Sequence, residues 1–280
     1  AFLEALLPDS ALRRRIAIPD RIRLRGTAGA DKGAFSAAST LSTDGGEIAL
    51  QGRLDTRSEA YGIELRCDSF PLNSFLPADS LGLLDLALQA GGSGFDPLRA
   101  QTRGNIRLQV DRAEFRGRDF GGVELNANLE GGQLSGRLSD RDEALRLLLL
   151  VSGTLTERKQ EVRLTGNVFD FDLAELGISL QKIGGSFALE AGASASDAGS
   201  YTARIALDSI EVRTRHRTDR IRPTSLSLSS DTTATRAKLA SGDLSLAFVS
   251  PGPVDSLVPA LTRSTDILAQ QIRAQSVDME

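Results

Sequence analysis

The sequence has no tryptophan and only one histidine, one cysteine and one methionine among its 280 residues. Metal sites, cofactor ligation and histidine-based catalysis need several ligands or proton carriers close together, so this inventory argues against all three. Cys67 stands alone and cannot form an internal disulfide. Aromatic residues make up only 5% of the chain, which disfavours the aromatic platforms of a carbohydrate-active enzyme. These scarcities predict a non-enzymatic protein without a cofactor.

The chain also lacks a strong charge of one sign and any long apolar run. Its 33 basic and 37 acidic residues give a formal net charge of -4, too weak a field to favour nucleic-acid binding. The longest apolar run, 147–151, is far short of the roughly 20 residues that a membrane-spanning helix needs. The first residues carry no signal-peptide pattern. We interpret the chain as a segment of a longer protein, with any membrane anchor elsewhere.

His216 lies in a basic run, and neighbouring arginines would make it a poor base. We interpret this run first as a solvated outer strand face with a loop. Contact with a headgroup phosphate or an acidic partner is the alternative.

The dominant pattern is an alternation of apolar and polar residues with period two. In the segment 21–25, for example, Ile22 and Leu24 alternate with three arginines. Glycine-rich turn signals separate these runs, at 44–46, 91–94, 121–122, 131–132 and 242–243. The pattern predicts roughly fifteen strands in an elongated, mostly antiparallel arrangement.

Three short stretches interrupt the alternation and resemble one another: FLEALLPDS from Phe2, FPLNSFLPADS from Phe70 and FDLAELGIS from Phe171. The surroundings of the last two match at a constant offset of roughly 101 positions. We therefore predict one elongated β-repeat segment over 1–280, with approximate repeats at 46–91 and 147–192 and short helical crossovers between groups of strands.

A helix-like apolar stripe marks the end of the chain. We predict a C-terminal helix over 251–276, either a further crossover or a cap. A membrane-surface helix is the alternative, but the stretch has few basic residues to bind anionic lipid.

The apolar strand faces admit two interpretations. They form the closed core of a sandwich or barrel, or they line an open cavity. The side chains are mostly Leu, Ile, Val and Ala, with few large aromatics to fill a wide interior, and this favours the cavity.

Several stretches resemble the interior of TamB-type proteins of the TamB/AsmA-like translocation and assembly family. They are LLPDSALRRRIAIPDRIRLRG from Leu6, LNSFLPADSLG from Leu72, GSGFDP from Gly92 and FGGVELNANLEGGQLSGRLSD from Phe120. The resemblance lies in the type of β patterning and in its order along nearly the whole chain. It implies a long open β-groove, or β-taco, with a hydrophobic inner surface, in a periplasmic protein that is anchored in the inner membrane of a Gram-negative bacterium.

The resemblance further implies a role in outer-membrane biogenesis. The partners would be phospholipid acyl chains or β-strands of client proteins, together with an Omp85-type outer-membrane protein bound through parts outside this segment. A structural or adhesive β-repeat scaffold with a closed core is the alternative. The residues predicted to line the groove are the apolar members of the alternating runs, namely Ile22, Leu24, Ile48, Leu50, Ile106, Leu108, Val110, Val123, Leu125, Leu129, Leu226, Leu228, Leu244, Leu246 and Phe248.

Overall fold

The structure is a computed structural model that describes residues 17, 19, 21–77, 80–196 and 199–253. These residues form one sheet of seventeen antiparallel strands, which confirms the predicted elongated antiparallel β architecture. The strands are β1 (Ile22–Asp31), β2 (Ala34–Thr43), β3 (Glu47–Asp55), β4 (Ala60–Pro71), β5 (Leu81–Ser93), β6 (Arg103–Phe115), β7 (Arg118–Phe120), β8 (Val123–Glu130), β9 (Gln133–Arg141), β10 (Leu145–Leu155), β11 (Lys159–Asp172), β12 (Gly184–Ser196), β13 (Tyr201–Arg213), β14 (Thr218–Ile221), β15 (Thr224–Ser230), β16 (Ala234–Ser241) and β17 (Leu244–Pro251).

The strands follow one another across the sheet as a meander. The short strand β7 and the longer β8 both pair with β6, and β14 and β15 both pair with β13, so each of these pairs occupies one position in the sheet. Seventeen strands therefore fill fifteen positions. At about 4.8 Å between neighbours, the sheet extends roughly 70 Å.

The sheet is open at both ends. Within the described residues, β1 pairs only with β2 and β17 pairs only with β16. In this part of the chain, both outer strands therefore present backbone N–H and C=O groups without a strand partner along one edge.

Tight turns occur where the sequence places glycine. Lys32 and Gly33 join β1 to β2, and Gly131 and Gly132 join β8 to β9, all four with positive φ. Paired positive φ values suit a two-residue hairpin, because their twist matches that of the flanking strands. The predicted turn at 91–94 begins later than expected, because 91–93 belong to β5 and only Gly94, at φ +85°, leaves the strand.

The interruptions predicted to be helical crossovers are connections between neighbouring antiparallel strands. After Phe70 the chain forms a three-residue 3-10 helix, Leu72–Ser74, between β4 and β5. After Phe171 it forms turns, in which the Asp172 carboxylate accepts hydrogen bonds from the backbone N–H groups of Ala174 and Glu175. The helix predicted over 251–276 does not begin at 251, because Pro251 ends β17. The rest of that prediction, 254–276, and the stretch from Phe2 lie outside the described residues.

Two β-bulges bend the sheet at corresponding points. One lies on β4 between Cys67 and Phe70, and the other lies on β11 between Val168 and Phe171, 101 positions later. A bulge increases the local twist and re-aims the side chains beside it. At these bends Phe70 stacks on Phe75 with ring centroids 5.1 Å apart, and Phe171 meets Phe187 edge-on at 6.1 Å.

Little of the sheet is buried. Among the described residues, the only hydrophobic side chains classed as buried are Cys67, Phe70, Ala144 and Val168. No second layer covers either face in this part of the chain. Cross-strand side-chain pairs and the hydrogen-bond ladder therefore provide most of the stabilisation.

Candidate functional site: an uncovered apolar face

Directly paired residues of antiparallel strands share one face, so the strand register shows which residues lie side by side. One row crosses all fifteen sheet positions and is mostly leucine. From β1 to β17 its members are Gly26, Ser39, Leu50, Leu65, Leu88, Leu108, Leu125, Leu138, Leu149, Gly166, Leu189, Leu207, Thr224, Ser241 and Leu244.

A second row lies two residues further along each strand, on the same face. Its members are equally apolar: Ala28, Ala37, Gly52, Ile63, Ala90, Ile106, Ala127, Gly136, Val151, Leu164, Ala191, Ile205, Leu226, Leu239 and Leu246. Similar rows flank these two, one through Leu24, Ile48 and Cys67, the other through Phe35, Leu228 and Phe248. We call these four rows the apolar face and the opposite side the polar face.

Large side chains on the apolar face remain accessible. Leu50 is 42% exposed, Leu226 46% and Leu246 56%. Leucine side chains in a closed core have almost no exposed surface. Because rows lie about 6.8 Å apart along a strand, the four rows make an apolar strip roughly 20 Å wide and 70 Å long.

Fourteen of the fifteen residues predicted to line a groove lie in these four rows, and Ile22 lies on the same side of the sheet, one row beyond Leu24. The strand pairings place Ile22, Leu24, Ile48, Val110 and Val123 towards one margin of the strip. The pairings place Leu50, Leu108, Leu125 and Leu244 in the leucine row, Ile106, Leu226 and Leu246 in the second row, and Leu129, Leu228 and Phe248 in the row beyond it. That these residues bind an apolar ligand stays a prediction.

Sequence reasoning missed about as many residues of the same face. Leu65, Leu88, Leu138, Leu149 and Leu189 belong to the leucine row. Alternation was present in each of these strands, but β10 has leucines on both faces, so its pattern could not identify the apolar side. Leu148 and Leu150 lie on the polar face opposite Ser139 and Arg137.

Two ionisable groups near the apolar face have raised pKa values. Burial, followed by the charges of Asp68 and Asp85, raises the pKa of the Cys67 thiol and keeps it protonated. Asp140 lies at the edge of the strip opposite Leu147, and burial is the main cause that raises its pKa.

The carboxylates that the sequence places in small clusters serve structural roles. Asp142 accepts hydrogen bonds from the N–H groups of Gly121 and Ala144 at 3.0 and 2.8 Å. Glu114 accepts one from Leu83 at the bulge of β5. Asp119 pairs with Arg112 at 2.9 Å. These contacts fix turns and bulges.

The basic run around His216 lies at the β13–β14 hairpin, where His216 is exposed. Arg213 forms an ion pair with Asp170, and Arg217 forms one with Asp219 at 2.7 Å. Part of the run is therefore neutralised locally. In the described ranges, no group of three or more His, Cys, Asp or Glu side chains is arranged to hold a metal ion.

None of the described segments forms a helix with the length and apolarity that crossing a bilayer requires. Compared with protein-family models, with curated proteins and with solved structures, the chain matches none of them.

Proposed function

We propose that this chain is a non-enzymatic segment of a periplasmic, inner-membrane-anchored protein that moves apolar cargo during outer-membrane biogenesis. The apolar face is the surface that carries the cargo, and phospholipid acyl chains are the cargo that its chemistry fits best. An Omp85-type protein would bind other parts of the same protein.

A single observation carries this proposal, the uncovered apolar strip of four rows. The largest apolar patch on an ordinary soluble protein covers about 300–600 Å². A strip roughly 20 Å by 70 Å exceeds that range at least twofold. A surface of this size needs an apolar occupant in order to remain in water without aggregating.

The shape of the strip suits an acyl chain better than a compact ligand. The rows run continuously from β1 to β17, so a flexible chain can lie along them without meeting a row of charges. Each methylene that leaves water gains about 0.8 kcal/mol. The gain is nearly the same at every position along the strip, which allows a lipid to move from one position to the next.

The scarcity of buried hydrophobic residues counts against the closed-core scaffold. Ile63 is 45% exposed and Ile205 also 45%, although both lie near the middle of their strands. A sandwich or barrel of this size would bury these positions against a second layer.

Assembly of client proteins by strand addition is a second candidate, and the edge of β17 favours it. The segment 244–250 contains no charged residue to protect the exposed edge, and the proline of β17 is its last residue, Pro251. On β1, by contrast, Arg23 and Arg25 alternate with the apolar residues. An extended client strand would therefore pair with β17 in preference to β1.

The lipid proposal is tested by purifying the chain without detergent from a Gram-negative host and measuring bound lipid by native mass spectrometry. The variant Leu125→Asp/Leu246→Asp places charges in the strip at two distant strands, and we expect it to lose bound phospholipid at least tenfold. Uptake of a fluorescent phospholipid from vesicles should fall in parallel.

The matched control is Asn126→Asp/Ser245→Asp. These residues are direct chain neighbours of the two leucines and lie on the polar face. The control adds the same charge to the same strands and should retain lipid. Equal lipid loss in both variants, or a lipid-free wild type that takes up no added lipid, would refute the proposal.

Strand addition is tested separately with a labelled peptide of alternating Val and Thr. Ala247→Lys/Val249→Lys adds charges to the outer strand and should weaken peptide binding while leaving lipid uptake intact. Peptide binding that is insensitive to these changes would exclude the edge of β17 as the site.

A further inference from the structure

Cations are concentrated in one row of the polar face in the second half of the sheet. Arg163 on β11 is paired with Gly192 on β12, which is paired with Arg204 on β13. The row continues through Ser227 on β15 to Lys238 on β16. The three cations therefore stand in line on alternate strand positions, about 10 Å apart, with only small residues between them.

A hollow of about 560 Å³ lies over this row. Hydroxyl groups of Ser194, Thr202, Ser227 and Ser229 also line the hollow, together with apolar residues, among them Ala247, Phe248 and Val249. Ser194 and Thr202 are hydrogen-bonded to each other at 2.7 Å. The small residues between the cations leave room for a ligand that the long Arg and Lys side chains can approach from both sides.

None of the three cations forms a salt bridge in the described part of the chain, and the charge of Arg163 contributes, after Lys159, to lowering the pKa of Glu161. Two carboxylates also border the hollow, but Glu161 is paired with Lys159 at 2.6 Å. The other, Glu190, lies in the adjoining row, opposite Thr165. A fourth cation that borders the hollow, Arg236, forms an ion pair with Asp231 at 3.6 Å. Four cations against two carboxylates make the hollow formally positive, although the chain as a whole has a net charge of -4.

On the strands β3–β6, in the first half of the sheet, the corresponding part of the polar face has a different charge. The same row contains Arg53 on β3, followed by Gly62, Gly91 and Asn105. The hollow there, of about 400 Å³, is bordered by one cation, Arg53, and one carboxylate, Glu64. The cationic row is thus specific to the second half of the sheet.

We propose that the hollow over Arg163, Arg204 and Lys238 binds a phosphate group. Arginine matches phosphate through two parallel N–H···O bonds, and lysine adds a point charge. The hydroxyl groups donate to the remaining phosphate oxygens. The phosphate belongs to a lipid headgroup or to a soluble phosphate compound, since both present the same group.

The side chains of the cationic row lie on the opposite side of the sheet from the apolar strip. One phospholipid molecule cannot reach both through the sheet, so phosphate binding does not depend on the proposed lipid transfer. Failure of either proposal leaves the other standing.

Titration calorimetry with inorganic phosphate and with pyrophosphate tests the site at low ionic strength, where exposed charges are least screened. The variant Arg163→Gln/Arg204→Gln/Lys238→Gln should bind at least tenfold more weakly than the wild type. The matched control is Arg53→Gln/Arg107→Gln/Arg137→Gln, which removes three cations from the polar face of the first half and should bind like the wild type.

Vesicles distinguish the two sources of phosphate. Binding to phosphatidylglycerol vesicles but not to soluble phosphate, with the same loss in the first variant only, assigns the site to a lipid headgroup. Binding to soluble phosphate assigns it to a soluble ligand. Equal weakening in both variants, or no binding of any probe by the wild type, would overturn the proposal.

A direct readout in the wild-type protein removes any dependence on the folding of the variants. Added phosphate should shift the side-chain Nε–H signals of Arg163 and Arg204 in nitrogen-15 NMR spectra and leave that of Arg53 in place. Unchanged signals at saturating phosphate would contradict the assignment.

Discussion

Two sets of seven strands in this sheet have the same plan and different local chemistry. The first set comprises β3–β9 and the second β10–β16. Corresponding strands begin at nearly constant spacing, as with β8 at Val123 and β15 at Thr224, 101 positions apart. In both sets a short strand precedes a break and a longer strand, at Gly121–Gly122 and at Arg222–Pro223.

The two sets share their strand order and bulges but differ in the burial of individual side chains. Bulges and strand order recur, whereas the surroundings of individual residues do not. Phe70 and Phe171 occupy corresponding bulges, but only Phe70 is fully buried, at 2% exposure. The same strand order and bulge position can therefore place corresponding side chains in different degrees of burial. That the two sets derive from one repeated unit stays a prediction.

The largest expected contrast concerns these two phenylalanines. Phe70→Ala should destabilise the sheet by about 3–5 kcal/mol, the usual cost of truncating a buried phenylalanine. Phe171→Ala should cost clearly less, because Phe171 is only partly buried. Urea unfolding followed by circular dichroism measures both midpoints. Equal shifts would mean that the two bulges are energetically equivalent.

A second contrast concerns two corresponding glycines of the apolar face. A Cβ at Gly153 would overlap the carbonyl oxygen of Glu161, whereas a Cβ at Gly52 would meet nothing within 4 Å. Gly153→Ala should therefore destabilise by about 1–3 kcal/mol through overpacking. Gly52→Ala should be neutral or stabilise by about 0.4–1 kcal/mol, since alanine restricts the unfolded chain.

Urea unfolding of the two glycine variants tests this contrast. A Gly52→Ala variant that loses as much stability as Gly153→Ala would show that both strands are packed equally closely on this face.

The smallest expected contrast lies in two hairpins. Gly131 and Gly132 form the β8–β9 turn, whereas Asp231 organises the β15–β16 turn by accepting hydrogen bonds from the side chain and N–H of Thr233 and from the N–H of Ala234. These bonds lower the pKa of Asp231 to about 2 from the usual 3.8. Its stabilisation is thus complete above pH 3.8 and is lost as the pH falls through about 2.

Asp231→Asn should lower the unfolding temperature at pH 6 and reduce the loss of stability between pH 4 and pH 2. Glu130→Gln, beside the glycine hairpin, removes only an exposed ion pair with Arg103 at 3.7 Å and should change neither value measurably. Thermal unfolding over this pH range measures both. An unchanged pH profile in Asp231→Asn would show that the turn does not depend on the ionised carboxylate.

Much of the fold could be predicted from local patterns. Alternation at Ile22 and Leu24, or at Leu244 and Leu246, identifies strands because successive side chains point to opposite faces. Glycines at 131–132 locate a turn because few other residues adopt positive φ. The strand that contains Gly91 was harder to predict, since glycine in a strand resembles a turn signal and only pairing with Gly62 on β4 and Asn105 on β6 holds it extended.

The candidate site could be predicted only in part. The fifteen predicted lining residues were identifiable within their own strands, but the leucines of β10 were not, and the alignment of Leu50 with Leu65 or of Leu149 with Leu189 depends on pairing between strands. Strand register is set by turns and bulges acting together across the sheet. The cationic row could not be predicted at all, because Arg163, Arg204 and Lys238 come from three strands that are far apart in sequence.

The amino-acid sequence by itself determined that this chain forms a long antiparallel sheet with one apolar and one polar side. Periodicity and turn chemistry are local properties, and they act within each strand and hairpin. Only the tertiary structure decided that no other described segment covers the apolar side and that scattered cations stand in one row. Those outcomes depend on how fifteen strand positions register against one another, which no single stretch of sequence contains.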